Sequence, residues 1–167
     1  MIQVSFEKTE VCPNVELSTY NSISRIPFSI KIGSHSNLPE TIYARNLSGE
    51  NFIEFRFDQN TNRLYEITLV TIQDNTVFNI ESIKNAASSG NYYSCLITRD
   101  SELDSSTPMK IYRNSHCIKV VFEKIEKNTN YFSLHDNYKL GVSSNGALSS
   151  IILTSLNEQV VLDIFGF

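Results

Sequence analysis

The 167-residue sequence predicts a mainly β protein, α+β at most, made of two tandem related β-rich halves built on hairpins, with a short helix between them. Three observations carry that expectation. Residues 64–80, LYEITLVTIQDNTVFNI, align without a gap on residues 148–164, LSSIILTSLNEQVVLDI, and an internal repeat is sought before any other motif. Leu64, Ile67, Leu69, Val77 and Ile80 fall on the identical Leu148, Ile151, Leu153, Val161 and Ile164. Alternating and short apolar runs outnumber helical spacings, and polar turn residues separate them.

Taken in order, Ile2-Gln3-Val4-Ser5-Phe6 alternates and reads as a strand. Phe28-Ser29-Ile30-Lys31-Ile32 alternates again and stops at Gly33. Residues 52–57, the polar loop Asp58-Gln59-Asn60-Thr61-Asn62 and residues 64–72 form a hairpin signal. Residues 138–142, Ser143-Ser144-Asn145-Gly146 and residues 148–156 repeat it, with Asn145-Gly146 suited to positive φ. Further strands are expected at 76–80, 92–97, 109–113, 117–123 and 130–134, the last apolar stretch of each half reading as extended. Glu81–Ala87 reads as the helix, with an acidic first turn and Gly90 beyond its end. The polar segment 99–108, closed by Pro108, is the most linker-like.

The repeat extends upstream by small register shifts. Phe55-Arg56-Phe57 corresponds to Leu140-Gly141-Val142, and Pro27, Ile30, Ser34 and His35 to Pro108, Ile111, Ser115 and His116. The halves are placed at 1–86 and 87–167, able to share one compact body.

Hydrophobic residues make up 41% and charged residues 19%, which suits a globular protein with a real core. A net charge of −4 and a pI near 5.4 argue against a nucleic-acid binder needing a positive surface. No apolar run reaches the roughly 18 residues that cross a bilayer, so no membrane partner is expected. Glu7 and Glu10 break the opening residues, which do not read as a signal peptide. Cys12, Cys95 and Cys117 are odd in number, against a closed disulfide framework, and a cytoplasmic setting is expected.

The histidines invite a catalytic reading, but His116–Cys117 and His135–Asp136 are neighbours in sequence, and adjacent residues of a strand face opposite sides. No catalytic residue is assigned. A small hydrolase or isomerase using His116, His135 and Asp136 is the enzymatic rival, and it needs these groups in near contact. No Cys-x-x-Cys or paired-histidine spacing suggests a metal, no glycine-rich loop suggests a phosphate cofactor, and none is expected. Asn46-Leu47-Ser48 matches a glycosylation acceptor and is set aside, since that requires secretion.

Two patches remain for recognition. Asp100, Glu102 and Asp104 put three carboxylates on a short loop, with Tyr92 and Tyr93 upstream as rigid contact residues. Glu50 and Glu54 flank the first hairpin and extend the negative surface. The plainer alternative is a solvated loop beside ordinary strand aromatics.

The hairpin Phe55-x-Phe57-Asp58-x5-Leu64-x-x-Ile67-x-Leu69-Val70 resembles segments in immunity proteins of bacterial polymorphic toxins, including contact-dependent growth-inhibition systems. Leu140-x-Val142-x5-Leu148-x-x-Ile151-x-Leu153 looks like a second instance, and together they span about a third of the chain. The resemblance implies a cytosolic antidote that binds its cognate toxin, frequently a nuclease, and blocks the active site. It transfers no binding residue. A structural or assembly β-module of a phage or secretion apparatus is the alternative.

Overall fold

The structure, a computed structural model, describes residues 1–20, 27–34, 37, 39–83, 90–123 and 129–165. In chain order its strands are β1 (Val4–Thr9), β2 (Val15–Thr19), β3 (Phe28–Ile32), β4 (Thr41–Ser48), β5 (Asn51–Asp58), β6 (Leu64–Thr71) and β7 (Val77–Asn79). They continue as β8 (Tyr92–Ile97), β9 (Asp104–Ser105), β10 (Met109–Arg113), β11 (Ile118–Phe122), β12 (Thr129–His135), β13 (Tyr138–Ser143) and β14 (Leu148–Leu153), before the helix α1 (Glu158–Phe165). The mainly β expectation holds.

Two six-stranded sheets run β2-β3-β6-β5-β4-β9 and β12-β13-β14-β11-β10-β7, and β1 pairs with β8 in a separate ribbon. Five consecutive strands take the same order in both sheets: β2 to β6 in one, β10 to β14 in the other. The registers match as well. Ala44, Phe55, Ile67, Ile30 and Leu17 lie side by side across the first sheet, as Phe132, Leu140, Ile151, Val120 and Ile111 do across the second. These rows face inward and join one continuous hydrophobic core. Phe55 of the first sheet meets Phe122 of the second at 6.4 Å between ring centroids.

Strand order corrects the upstream alignment. β3 stands in the place of β11, not β10, so Ile30 corresponds to Val120 rather than Ile111. The supposed equivalence of His35 and His116 loses its basis, and His35 itself lies outside the described residues.

The aligned segments 64–80 and 148–164 also part company. β6 and β14 occupy equivalent central places, but then Val77–Asn79 forms a short strand parallel to β10, whereas the counterpart residues form α1. The reason is local. Asn157 Oδ1 accepts the Gln159 N–H at 2.8 Å as a cap, and Val161, Ile164 and Phe165 recur at helical spacing to be buried. The helix expected at 81–87 is not found at Glu81–Ile83, which are non-helical, and its remainder lies outside the described residues. Among the described residues no helix is long and apolar enough to cross a membrane.

The hairpin turns follow their sequences. Asn62 (φ 59°) and Gly146 (φ 82°) supply the left-handed positions in the β5–β6 and β13–β14 turns. Bridges from Arg63 to Leu96 and from Gln3 to Ala147 tie the β1–β8 ribbon to these two turns. Phe6 and Tyr93 of the ribbon pack on Phe132 of β12, at 4.0 and 5.2 Å between centroids, which covers that edge strand.

Candidate functional site: an outer sheet face and its acidic edge

The outer face of the first sheet is built by the residues that alternate with the inward row. Tyr43, Arg56, Glu66, Lys31 and Glu16 line up across β4, β5, β6, β3 and β2. The neighbouring row places Asp104 beside Arg45, then Glu54, Thr68, Ser29 and Ser18. Opposite charges therefore stand across from each other, the favourable arrangement for cross-strand pairs. Arg56 reaches Glu54 at 2.8 Å and Glu66 at 2.9 Å, and Arg45 reaches Glu54 at 3.0 Å. Ser29 Oγ donates to Glu66 Oε1 at 2.6 Å. Although they sit on an open face, the Glu54 and Glu66 side chains are only 11% and 7% exposed, because the guanidiniums cover them. Burial lowers the Arg56 pKa, but its hydrogen bond to Glu54 and the charges of Glu66 and Glu54 outweigh that and hold it above the ordinary value. Both guanidiniums also lie over the Tyr43 ring, at 5.0 and 5.7 Å from its centroid.

The acidic residues singled out from sequence gather at the edge of this face. Asp100, Glu102 and Asp104 are all exposed. Their segment is held firmly: Arg45 N donates to Leu103 O at 2.6 Å, and the Met1 ammonium pairs with Glu102. Deeper in, the buried Asn46 amide donates to Thr107 O at 2.8 Å and accepts from Ser105 Oγ at 2.6 Å and Thr107 N at 2.8 Å. Exposed apolar side chains flank the acids. Tyr43, Leu47, Leu103 and Met1 are 38–55% exposed, and all belong to β4, to the 99–105 segment or to the terminus paired with it.

The remaining predicted residues lie elsewhere. Glu54 belongs to the ion network rather than to a free negative surface. Glu50 sits in the β4–β5 turn and borders a cleft of about 460 Å3 with Asp74, Ile164 and Phe165. Tyr92 and Tyr93 start β8, whose far end at Ile97 is roughly 17 Å away at 3.3 Å per residue. Tyr93 packs into Phe132, and Tyr92 donates to Asp136 Oδ1 at 2.5 Å. That hydrogen bond leads the effects that push the Tyr92 pKa up to about 12. Neither chain matches in family models nor matches among curated proteins were found.

His116 and His135 have structural tasks. His116 Nδ1 meets Leu156 O at 3.1 Å, which ties the β10–β11 loop to the entry of α1. His135 Nδ1 accepts from Asn137 N at 3.3 Å, and Asp136 is engaged by Tyr92. Among the described residues, no three His, Cys, Asp or Glu side chains are grouped to hold a metal ion. Sequence reasoning missed Tyr43, Arg45, Arg56 and Glu66. The signal was present in the alternation of Glu54 and Arg56 between Ile53, Phe55 and Phe57, but reading it as a network needs the strand neighbours.

Proposed function

We propose that this protein is a non-catalytic immunity protein that binds a cognate bacterial toxin domain of the nuclease class in the cytoplasm and occludes its active site. The observation that carries the reading is the β9–β4 edge. There three exposed carboxylates stand on a segment pinned by Asn46, beside exposed Tyr43, Leu47 and Leu103. A nuclease presents a positive surface to phosphates, and an acidic partner is steered to it and can stand in for them. Aromatic and aliphatic side chains beside the acids supply the desolvated contact that charge alone does not. The engagement of His116, His135 and Asp136 in structural hydrogen bonds favours binding over catalysis.

The assembly-module alternative draws on exposed strand edges, and the outermost strands β9 and β7 are only two and three residues long. Short edges are poor templates for edge-to-edge pairing, while of the other two outermost strands β12 is covered by Phe6 and Tyr93 and the five-residue β2 meets α1. Co-purification with the product of the adjacent gene identifies the partner. The triple variant D100K/E102K/D104K is then expected to slow association at least tenfold and to flatten its salt dependence, with thermal stability lowered only slightly because the Met1–Glu102 pair it removes is exposed. Association kinetics equal to those of the unaltered protein would refute this surface. Defined oligomers of the isolated chain on sizing would favour the assembly reading.

A further inference from the structure

A cleft beside the β4–β5 turn shares no lining residue with the acidic edge, and we infer that it binds an organic cation, a primary ammonium carried on a short alkyl stem. The cleft measures about 460 Å3, within the range of small-molecule sites. Pro27, Ile72, Ile164 and Phe165 supply its apolar lining, and Glu50 and Asp74 are its exposed members. An apolar lining with a few placed polar groups fixes both the body of a ligand and the position of its charge.

Both carboxylates stand on anchored segments. Thr71 Oγ1 donates to Glu50 O, which ties the β4–β5 turn to the end of β6. The buried Asn51, first residue of β5, accepts through Oδ1 from Gln73 N at 2.8 Å and from Thr76 Oγ1 at 3.2 Å, on either side of Asp74. Groups fixed in advance lose little freedom when a ligand arrives. No described basic residue lines the cleft, and the last turn of α1, which brings Ile164 and Phe165 to it, carries none. A helix C-terminus concentrates negative partial charge and favours a cation nearby. Arg113 lies over the Phe165 ring, 4.8 Å from its centroid, but lines a separate cleft with Glu81 and Glu158.

The combination selects the ligand. An inorganic cation gains nothing from four apolar side chains, and a neutral hydrocarbon gains nothing from two carboxylates. An alkylammonium uses both, laying its methylenes on the lining and its charge between Glu50 and Asp74. A compact ammonium with three rotatable donors suits two carboxylates on separate segments, whereas the rigid fork of a guanidinium matches one carboxylate at a time. Each methylene fully removed from water raises affinity about fourfold, so stem and charge contribute separably. The same ammonium and stem occur in a free alkylamine and in the lysine side chain of a bound protein.

The test is an NMR titration of the intact protein at constant ionic strength with ammonium chloride, propylamine and pentylamine, and with pentanol as the uncharged control. Saturable shifts are expected at Glu50, Ile72, Asp74 and Phe165, with affinity rising about two- to fourfold per added methylene. E50Q/D74N, at two exposed positions, is expected to weaken pentylamine binding roughly tenfold, as the loss of two exposed charge pairs implies. D100K/E102K/D104K is expected to leave it unchanged, so the cleft and the acidic edge stand or fall separately. Equal affinity along the amine series, pentanol binding as tightly as pentylamine, or E50Q/D74N binding like the unaltered protein each overturns the site. N-acetyl-lysine N-methylamide forms a further arm: its binding extends the site to lysine side chains of a partner, pentylamine binding alone confines it to free amines, and binding of neither overturns it.

Discussion

Asn46 is the side chain whose removal tests the acidic edge most directly. It is 1% exposed, and its amide makes one donated and two accepted hydrogen bonds to Ser105 and Thr107, all between 2.6 and 2.8 Å. A neutral hydrogen bond contributes about 1 kcal/mol net, so Asn46→Ala removes about 3 kcal/mol. The Thr107 N–H and C=O left behind cost more if they stay buried, but their segment lies at a sheet edge and can open to water. With a urea slope of about 2 kcal/mol/M, the midpoint falls by about 1.5 M. Hydrogen exchange separates the local from the global effect: the amides of Thr107 and Arg45, the latter donating to Leu103 O, are expected to exchange roughly a hundredfold faster, matching a loss near 3 kcal/mol. Asn46→Asp keeps both accepted bonds and loses the donated one, so the segment stays docked at its Oδ1 end while a charge is buried. A loss below about 0.5 kcal/mol in Asn46→Ala, with Thr107 and Arg45 still protected, refutes the idea that this amide positions the carboxylates.

Further expectations concern the two outer faces and the ribbon. Gly141→Ala forces a methyl to 2.2 Å from Ser150 Oγ and 2.7 Å from Thr129 Cγ2, an overpacking expected to cost about 1–3 kcal/mol in chemical denaturation. Ser150→Ala alone is expected to be neutral or stabilising because its hydroxyl is orphaned, and the double variant to cost less than the sum, with strict additivity arguing against the contact. Glu66→Ala removes the acceptor of both Arg56 and Ser29 and is expected to destabilise by about 2–3 kcal/mol, with little relief from added salt because the carboxylate is shielded. Tyr92, with its pKa raised to about 12, stays protonated above the pH at which an unfolded tyrosine ionises. The stability it contributes is present below about pH 10 and is lost as pH rises from there towards 12. Absorbance titration should show Tyr92 among the late tyrosines, with the buried Tyr138, and Asp136→Asn should move one of them back towards 10; an unchanged titration would remove the Tyr92–Asp136 pair as its cause.

The legible part of the fold was the part governed by local periodicity. Hairpins around Asp58–Asn62 and Asn145-Gly146 announced themselves because positive-φ residues sit between alternating runs. β2, β4 and β9 escaped notice for different reasons. Val15–Thr19 carries only two apolar residues, Thr41–Ser48 mixes charged and apolar side chains because one of its faces is an ion network, and Asp104–Ser105 is extended only through its parallel pairing with β4. The helix at Glu158–Phe165 was obscured by its likeness to a strand segment. Val77 and Val161 are the same residue type at aligned positions, and the Asn157 cap together with the apolar residue at 165 decides between strand and helix. At the site, the three carboxylates of 100–104 were visible as a charge cluster. That they share an edge with Tyr43 and Arg45 depends on pairing between residues some sixty positions apart, which no local pattern encodes.

Why the two outer faces differ while the two cores are alike follows from the same registers. Inward positions are close-packed in one shared core, so Phe55 and Leu140, Ile67 and Ile151, Ile30 and Val120, and even the unequal Ala44 and Phe132, all remain apolar. Outward positions admit charged and polar side chains as well, and there Glu54 corresponds to Lys139 and Arg56 to Gly141. The halves are also interlocked. β1 pairs with β8, β7 of the first half pairs with β10 of the second, and α1 of the second half packs against β2 of the first. A surface on either sheet is therefore carried on a body that both halves hold rigid, which limits the conformational cost of binding. Side chains on either outer face can therefore differ between the sheets while the shared core stays apolar.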